Sequence, residues 1–113
     1  MHELSLATEL VSQLSDVLTR EGAQKAVEIR VAIGAMSGVE RVPFEFAFPV
    51  AAEGTPIEGA KLVIEEVALK LRCHDCGLES TTDDPIMVCP SCGSMAVEII
   101  EGKELTIKSM EVC

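Results

Sequence analysis

A chain of 113 residues, 48% of them apolar, is long enough for one ordinary core and too apolar for global disorder. Nineteen acids against nine Lys and Arg leave a formal charge of -10, and there is no Trp, no Tyr and three Phe; nucleic acid is therefore excluded as the main partner, for want of clustered cations and of stacking rings. No apolar run reaches the roughly 18 residues a membrane span needs, and the start lacks a signal peptide's basic flank and apolar stretch, so the expected setting is the cytoplasm with no membrane contact.

The first predicted element is a helix over residues 4–20. Leu4, Ala7, Leu10, Val11, Leu14, Val17 and Leu18 recur at three- and four-residue spacing and give one apolar face. Glu3 and Glu9 near its start and Arg20 at its end suit the helix dipole, and Gly22 is placed to stop it. Val27, Ile29, Val31 and Ile33 then alternate with Glu28, Arg30 and Ala32, which predicts a strand with one buried face. Gly34 and Gly38 bracket a turn. The stretch from Arg41 reads as a short helix with Pro43 in its first turn and Pro49 forcing a kink or an early end. Residues 61–72 have a strand pattern that changes phase: Leu62 and Ile64 share one parity, Val67, Leu69 and Leu71 the other. A bulge or crossover near Glu65 and Glu66 follows from that change. Val97 and Ile99, a turn at Gly102, and a strand through Leu105 and Ile107 complete the chain.

Between the last strands the sequence reads C-H-D-C-G, twelve residues from Gly77 to Val88, then C-P-S-C-G. The two-residue gap within each pair lets both sulfurs turn toward one point. Two such pairs, Cys73 with Cys76 and Cys89 with Cys92, complete the tetrahedron of a closed structural zinc site. Gly77 and Gly93 stand where the tight turn favours positive φ. Two disulfides would need an oxidising compartment, and a redox pair would need one CxxC beside a βαβ unit. Iron would use the same four thiolates, and spacing alone leaves it open. The segment is too short for a self-sufficient core, so the metal is expected to be architectural. His74, inside the first pair, reads as an exposed bystander.

The chain begins M-H-E-L-S. A free α-amine, the amide nitrogen of the second residue and its imidazole form fused chelate rings around a planar metal, and such nitrogen-rich planes favour Cu(II) or Ni(II). Taken together, M-H-E-L-S, I-G-A-M-S-G-V, A-E-G-T-x-x-E-G-A and two CxxC pairs resemble the HypA/HybF family across essentially the whole chain. The resemblance implies nickel metallochaperones for [NiFe]-hydrogenase maturation. It implies a fold of the α+β class: a nickel-binding domain of two helices on a small mixed sheet, residues 1–66 plus 102–113, with a zinc-ribbon-like four-cysteine domain, residues 67–101, inserted into it. Residue by residue, Met1, His2 and Glu3 match the family's nickel terminus, and Cys73, Cys76, Cys89 and Cys92 match its zinc ligands. Glu40 stands where some members carry an Asp near nickel. Gly77 and Gly93 stand where many relatives have a histidine. The partners implied are a HypB-type nickel GTPase and the hydrogenase large-subunit precursor, with urease maturation proteins as another destination. The cofactor implied is structural Zn(II), with Ni(II) as cargo.

No nucleophile-base-acid constellation and no phosphate-binding glycine loop is present, so the expectation is a carrier and not an enzyme. The other reading of four cysteines is an acidic zinc-ribbon adaptor for a protein or nucleic-acid partner.

Overall fold

A computed structural model describes residues 2–82 and 87–113 of the protein. The first helix, α1, spans His2–Arg20. Its inward face is Glu3, Ala7, Leu10, Val11, Leu14 and Leu18, one stripe of 3.6-residue period. Leu4 and Val17, expected on that face, are exposed, because they sit one residue to the side of the stripe. The helix closes with the Ala23 amide donating to the Leu18 carbonyl and the Gly22 amide to the Thr19 carbonyl, while Gly22 holds φ at 70°. This is a Schellman ending, which needs a residue free to adopt the left-handed conformation.

Strand β1, Ala26–Gly34, buries Ile29, Val31 and Ile33. Val27 is exposed and Ala32 buried, against the simple alternation, because β1 is the central strand of its sheet and its second half is covered on both faces. Helix α2, Arg41–Ala52, packs against α1 through Phe44, Phe48 and Ala52, with the two rings 6.0 Å apart. Pro43 lies in its first turn, as expected. Pro49 does not end the helix early: α2 continues to Ala52. Pro49 is exposed and stands in the last turn, where little of the hydrogen-bond ladder remains to be lost.

The chain then forms β2 (Lys61–Val67), β3 (Leu69–Cys73), β4 (Glu79–Thr82), β5 (Val97–Glu101) and β6 (Leu105–Val112). One sheet has the order β2-β1-β6, the other β4-β3-β5, and in the second β3 runs antiparallel to both neighbours. The phase change of residues 61–72 is thus a transfer between sheets at Ala68, just beyond Glu66. Two helices with small sheets and a four-cysteine cluster place the chain in the expected α+β class.

The chain divides into two compact units. One comprises Met1–Val31, Val39–Ile64 and Ile107–Cys113; the other comprises Ala32–Gly38 and Glu65–Thr106. Within the second unit three backbones meet. A Cβ on Gly102 would lie 2.6 Å from the Ala68 carbonyl oxygen, and one on Gly34 would overlap the Gly102 backbone itself. Gly102 also has φ of 93°. The Met36 amide donates to the Gly102 carbonyl at 2.7 Å, and the Ala35 amide to Val67 at 2.9 Å. The junction is made of backbone, so it needs glycine on both sides.

Candidate metal centres

Each cysteine pair folds by the same local rule. The Gly77 amide donates to the Cys73 carbonyl and the Gly93 amide to the Cys89 carbonyl, both at 2.9 Å. Gly77 and Gly93 hold φ at 77° and 74°, as the motif predicts. The Cys73 amide then donates to Leu78 and the Cys89 amide to Ser94, closing each knuckle. The first cysteine of each pair is buried and the second exposed. Asp75 in the first knuckle accepts a hydrogen bond from the Ser94 hydroxyl beyond the second, and that hydroxyl also receives the Ala96 amide at 3.0 Å. The clasp joins the two knuckles independently of any metal. No spacing rule in the sequence announces it.

The four sulfurs converge. Cys73 and Cys92 Sγ are 3.6 Å apart, as are Cys76 and Cys89, and all four lie within 4.8 Å of one another. No pair is bonded: all five cysteines are free thiols. Four sulfurs at about 2.3 Å from a tetrahedral zinc stand about 3.8 Å apart, so the donor set fits a structural Zn(II) with no position left open.

The electrostatics of the cluster point the same way. The Cys76 amide pulls the Cys73 thiol below its usual range, and the Cys92 and Ser91 amides pull Cys89 down to about 6. The second sulfurs go the other way. Against the Leu78 and Ser94 amides, proton sharing with neighbouring sulfurs together with burial raises Cys76 and pushes Cys92 up to about 12. Four thiolates cannot all form at this spacing by themselves, and a divalent cation removes that obstacle.

His74 is exposed, as expected. Its Nε2 is 3.9 Å from Glu98, and it is not in the sulfur cluster. Cys113 is exposed at the end of the chain, where its backbone pairs with Gln24 and Lys25.

The other expected site is built differently. Met1, expected to supply the amine, lies outside the described residues. His2 opens α1 with its side chain 62% exposed, and its Nδ1 is 3.7 Å from Glu3 Oε2. Glu3 is buried at 7% exposure, the only buried charged side chain among the described residues. It occupies the first position of α1's inward stripe, one turn before Ala7. The Glu40 amide donates to its Oε2 at 3.4 Å. Burial pushes the Glu3 carboxyl up, but the hydrogen bond from the Glu40 amide leads a set of favourable interactions that holds it below the usual carboxylate range. Glu40 is the residue that caps α2, and its own side chain makes no capping bond. The Glu3 carboxylate therefore serves the start of α2, where a negative charge is favoured by the helix dipole.

His2, Glu3 and Glu40 are thus brought to one end of the helix pair. Their side chains do not converge as the sulfurs do: among the described residues the cysteines are the one group with metal-like spacing. A terminal chelate draws chiefly on main-chain nitrogens, so a side-chain cluster is not its signature. The burial of Glu3 is what sequence reasoning missed; its spacing to Ala7 and Leu10 was the available signal.

Comparison with known proteins identifies the family. The chain matches the family model described as "Hydrogenase/urease nickel incorporation, metallochaperone, hypA" over residues 1–112. A hydrogenase maturation factor HypA from Nitrosospira multiformis is 39% identical over 112 residues, covering 99% of this chain and 97% of the relative. Another, from Moorella thermoacetica, is 42% identical over 111 residues and 98% of each chain. The solution structure of the Ni metallochaperone HypA from Helicobacter pylori superposes with a TM-score of 0.74 at 28% identity, over 99% of this chain and 97% of that one.

Proposed function

Because the chain belongs to the HypA family of nickel metallochaperones for hydrogenase maturation, we propose that its N-terminus is the cargo site and its four paired cysteines are the structural zinc ligands. Nickel is held by the α-amine of Met1, the amide nitrogen of His2 and the His2 imidazole. Glu3 fixes the terminus against α2, and Glu40 stands beside it. The single observation that carries the cargo assignment is an exposed His2 next to a buried Glu3 that is tied to Glu40. That arrangement anchors the first turn of α1 while leaving the imidazole open to solvent.

The chain acts as a carrier and not as a catalyst. When bound, zinc supplies folding free energy and cross-links the two knuckles. Nickel at the terminus stays exchangeable because the His2 side chain that helps hold it stands open to solvent. The partners are a HypB-type nickel GTPase and the [NiFe]-hydrogenase large-subunit precursor, with urease maturation proteins as a further destination. The compartment is the cytoplasm, where free thiols persist. The adaptor reading finds no support in a family of metallochaperones.

Acetylation of Met1 tests the cargo site, since it converts the amine to an amide and adds little bulk. Nickel titration followed by calorimetry and by the visible band of planar Ni(II) should lose its stoichiometric phase, and His2→Ala should do the same, with zinc content unchanged in both. Identical titrations for acetylated and free protein would remove the terminus from consideration.

A further inference from the structure

Helix α2 is apolar on both sides. Phe44, Phe48 and Ala52 face inward, yet Val42 is 60% exposed, Phe46 76% and Val50 58%. Those three stand at intervals of four residues and so form one stripe along the outer face, with exposed Pro49 beside it. Single exposed apolar residues need no explanation, but a contiguous stripe does. Local propensity does not supply one, because Val and Phe are weaker helix formers than Ala, Glu or Lys at a solvated position.

We infer that this stripe is the docking surface for the protein with which the terminus exchanges nickel, and that the partner presents an apolar face rimmed by basic groups. The inference rests on the cargo-site reading above. Position supports it first. The stripe begins two residues after Glu40, whose amide is bonded to Glu3 beside His2. At about 1.5 Å per residue, Val50 lies only about 15 Å along the axis from Glu40, so a partner seated on the stripe reaches the terminus as well.

Charge sets the partner's chemistry. Glu40, Glu45 and Glu53 flank the stripe, and Arg41, the single cation in that stretch, is bonded to Glu45 at 2.6 Å. The rim is therefore acidic, on a chain of net charge -10, which favours a basic partner and disfavours a second copy. Area points away from a permanent dimer too. One stripe of three side chains and a proline falls well short of the roughly 800 Å² per partner that a stable interface buries, which suits a contact that must dissolve after transfer.

The test uses the full-length zinc-loaded protein, its Phe46→Asp and Phe46→Leu variants, and two purified probes: the HypB-type GTPase and the hydrogenase large-subunit precursor. Phe46→Asp should weaken binding of the nickel-exchanging probe at least ten-fold by biolayer interferometry, while Phe46→Leu keeps it within about three-fold. Nickel stoichiometry, zinc content and circular dichroism should match wild type in both variants, and raising salt should slow association of the wild type. Unchanged binding by Phe46→Asp overturns the inference. So does a wild-type dimer in sedimentation that Phe46→Asp dissociates, which would make the stripe a self-interface. A chain that holds nickel at its terminus yet binds neither probe overturns the docking surface alone, whereas loss of the terminal nickel site in the acetylation experiment overturns the reading beneath it.

Discussion

Cys73 and Cys89 are buried under closed knuckles, while His2 stands in solvent at the first turn of a helix. The bonds that close each knuckle join residues three to five positions apart, so each knuckle carries its own instructions. The terminus is assembled from residues 37 positions apart, Glu3 and Glu40. The first arrangement holds four sulfurs at near-tetrahedral spacing before any ion arrives, which suits a metal that never leaves. The second fixes only Glu3 beside an exposed His2, which suits the exchangeable cargo proposed for it.

The two sites come apart most completely when one sulfur is removed. Cys73→Ala should lose zinc, with a folding contribution on the order of 10–16 kcal/mol at stake. It should melt β3, β4 and β5, while α1 and α2 keep their dispersion in a heteronuclear NMR spectrum and His2 still binds nickel. Zinc retained at one per chain by mass spectrometry would refute the ligand set.

Acid separates them from the other side. A terminal chelate must shed protons from its nitrogen donors before it can hold the metal, so nickel affinity should fall by at least ten-fold in all between pH 8 and pH 6. Zinc, measured on the same samples, should remain at one equivalent.

The junction glycine should respond more modestly. Gly102→Ala meets the Ala68 carbonyl oxygen and strains a residue at φ 93°, and should cost about 3 kcal/mol in urea denaturation without altering either metal stoichiometry. Asp75→Ala removes the clasp to Ser94 and should cost about 1 kcal/mol.

Glu3→Gln should shift stability least, and the sign of its effect is set by pH. The folded-state pKa of Glu3 is held below its unfolded value, so the carboxylate contributes stability above the unfolded pKa and loses it as pH falls through the folded one. Wild type and Glu3→Gln should therefore differ in urea midpoint at pH 7 and converge below about pH 4. A constant gap at all pH values would show that the charge of Glu3 does not serve α2.

Much of this was legible in the sequence for physical reasons. The α1 stripe, the four cysteines and the positive φ of Gly77 and Gly93 all rest on local periodicity or local turn geometry. What was not legible depended on neighbours. Val27 is exposed and Ala32 buried because β1 is covered unevenly along its length, with its last four residues all buried. Glu3 is buried because the start of α2 comes to meet it. The strand pattern of residues 61–72 announced the crossover: the chain passes from one compact unit to the other at Glu65 and from one sheet to the other at Ala68, and what it could not announce is that Ala68 backs onto Gly102. Phe46 and Phe44 look alike in sequence, and only packing against α1 decides which of them is left in water.

The strand order β2-β1-β6 also bears on how that sheet closes. Only α2 separates β1 from β2 in the chain, whereas β6, on β1's other edge, follows the whole cysteine segment. A zinc ion held by the two knuckles shortens the effective tether between Val67 and Leu105 and lowers the entropy lost when β6 finds its place. The metal that stays thus eases the docking of one edge strand, while the two helices beside His2 pack without it.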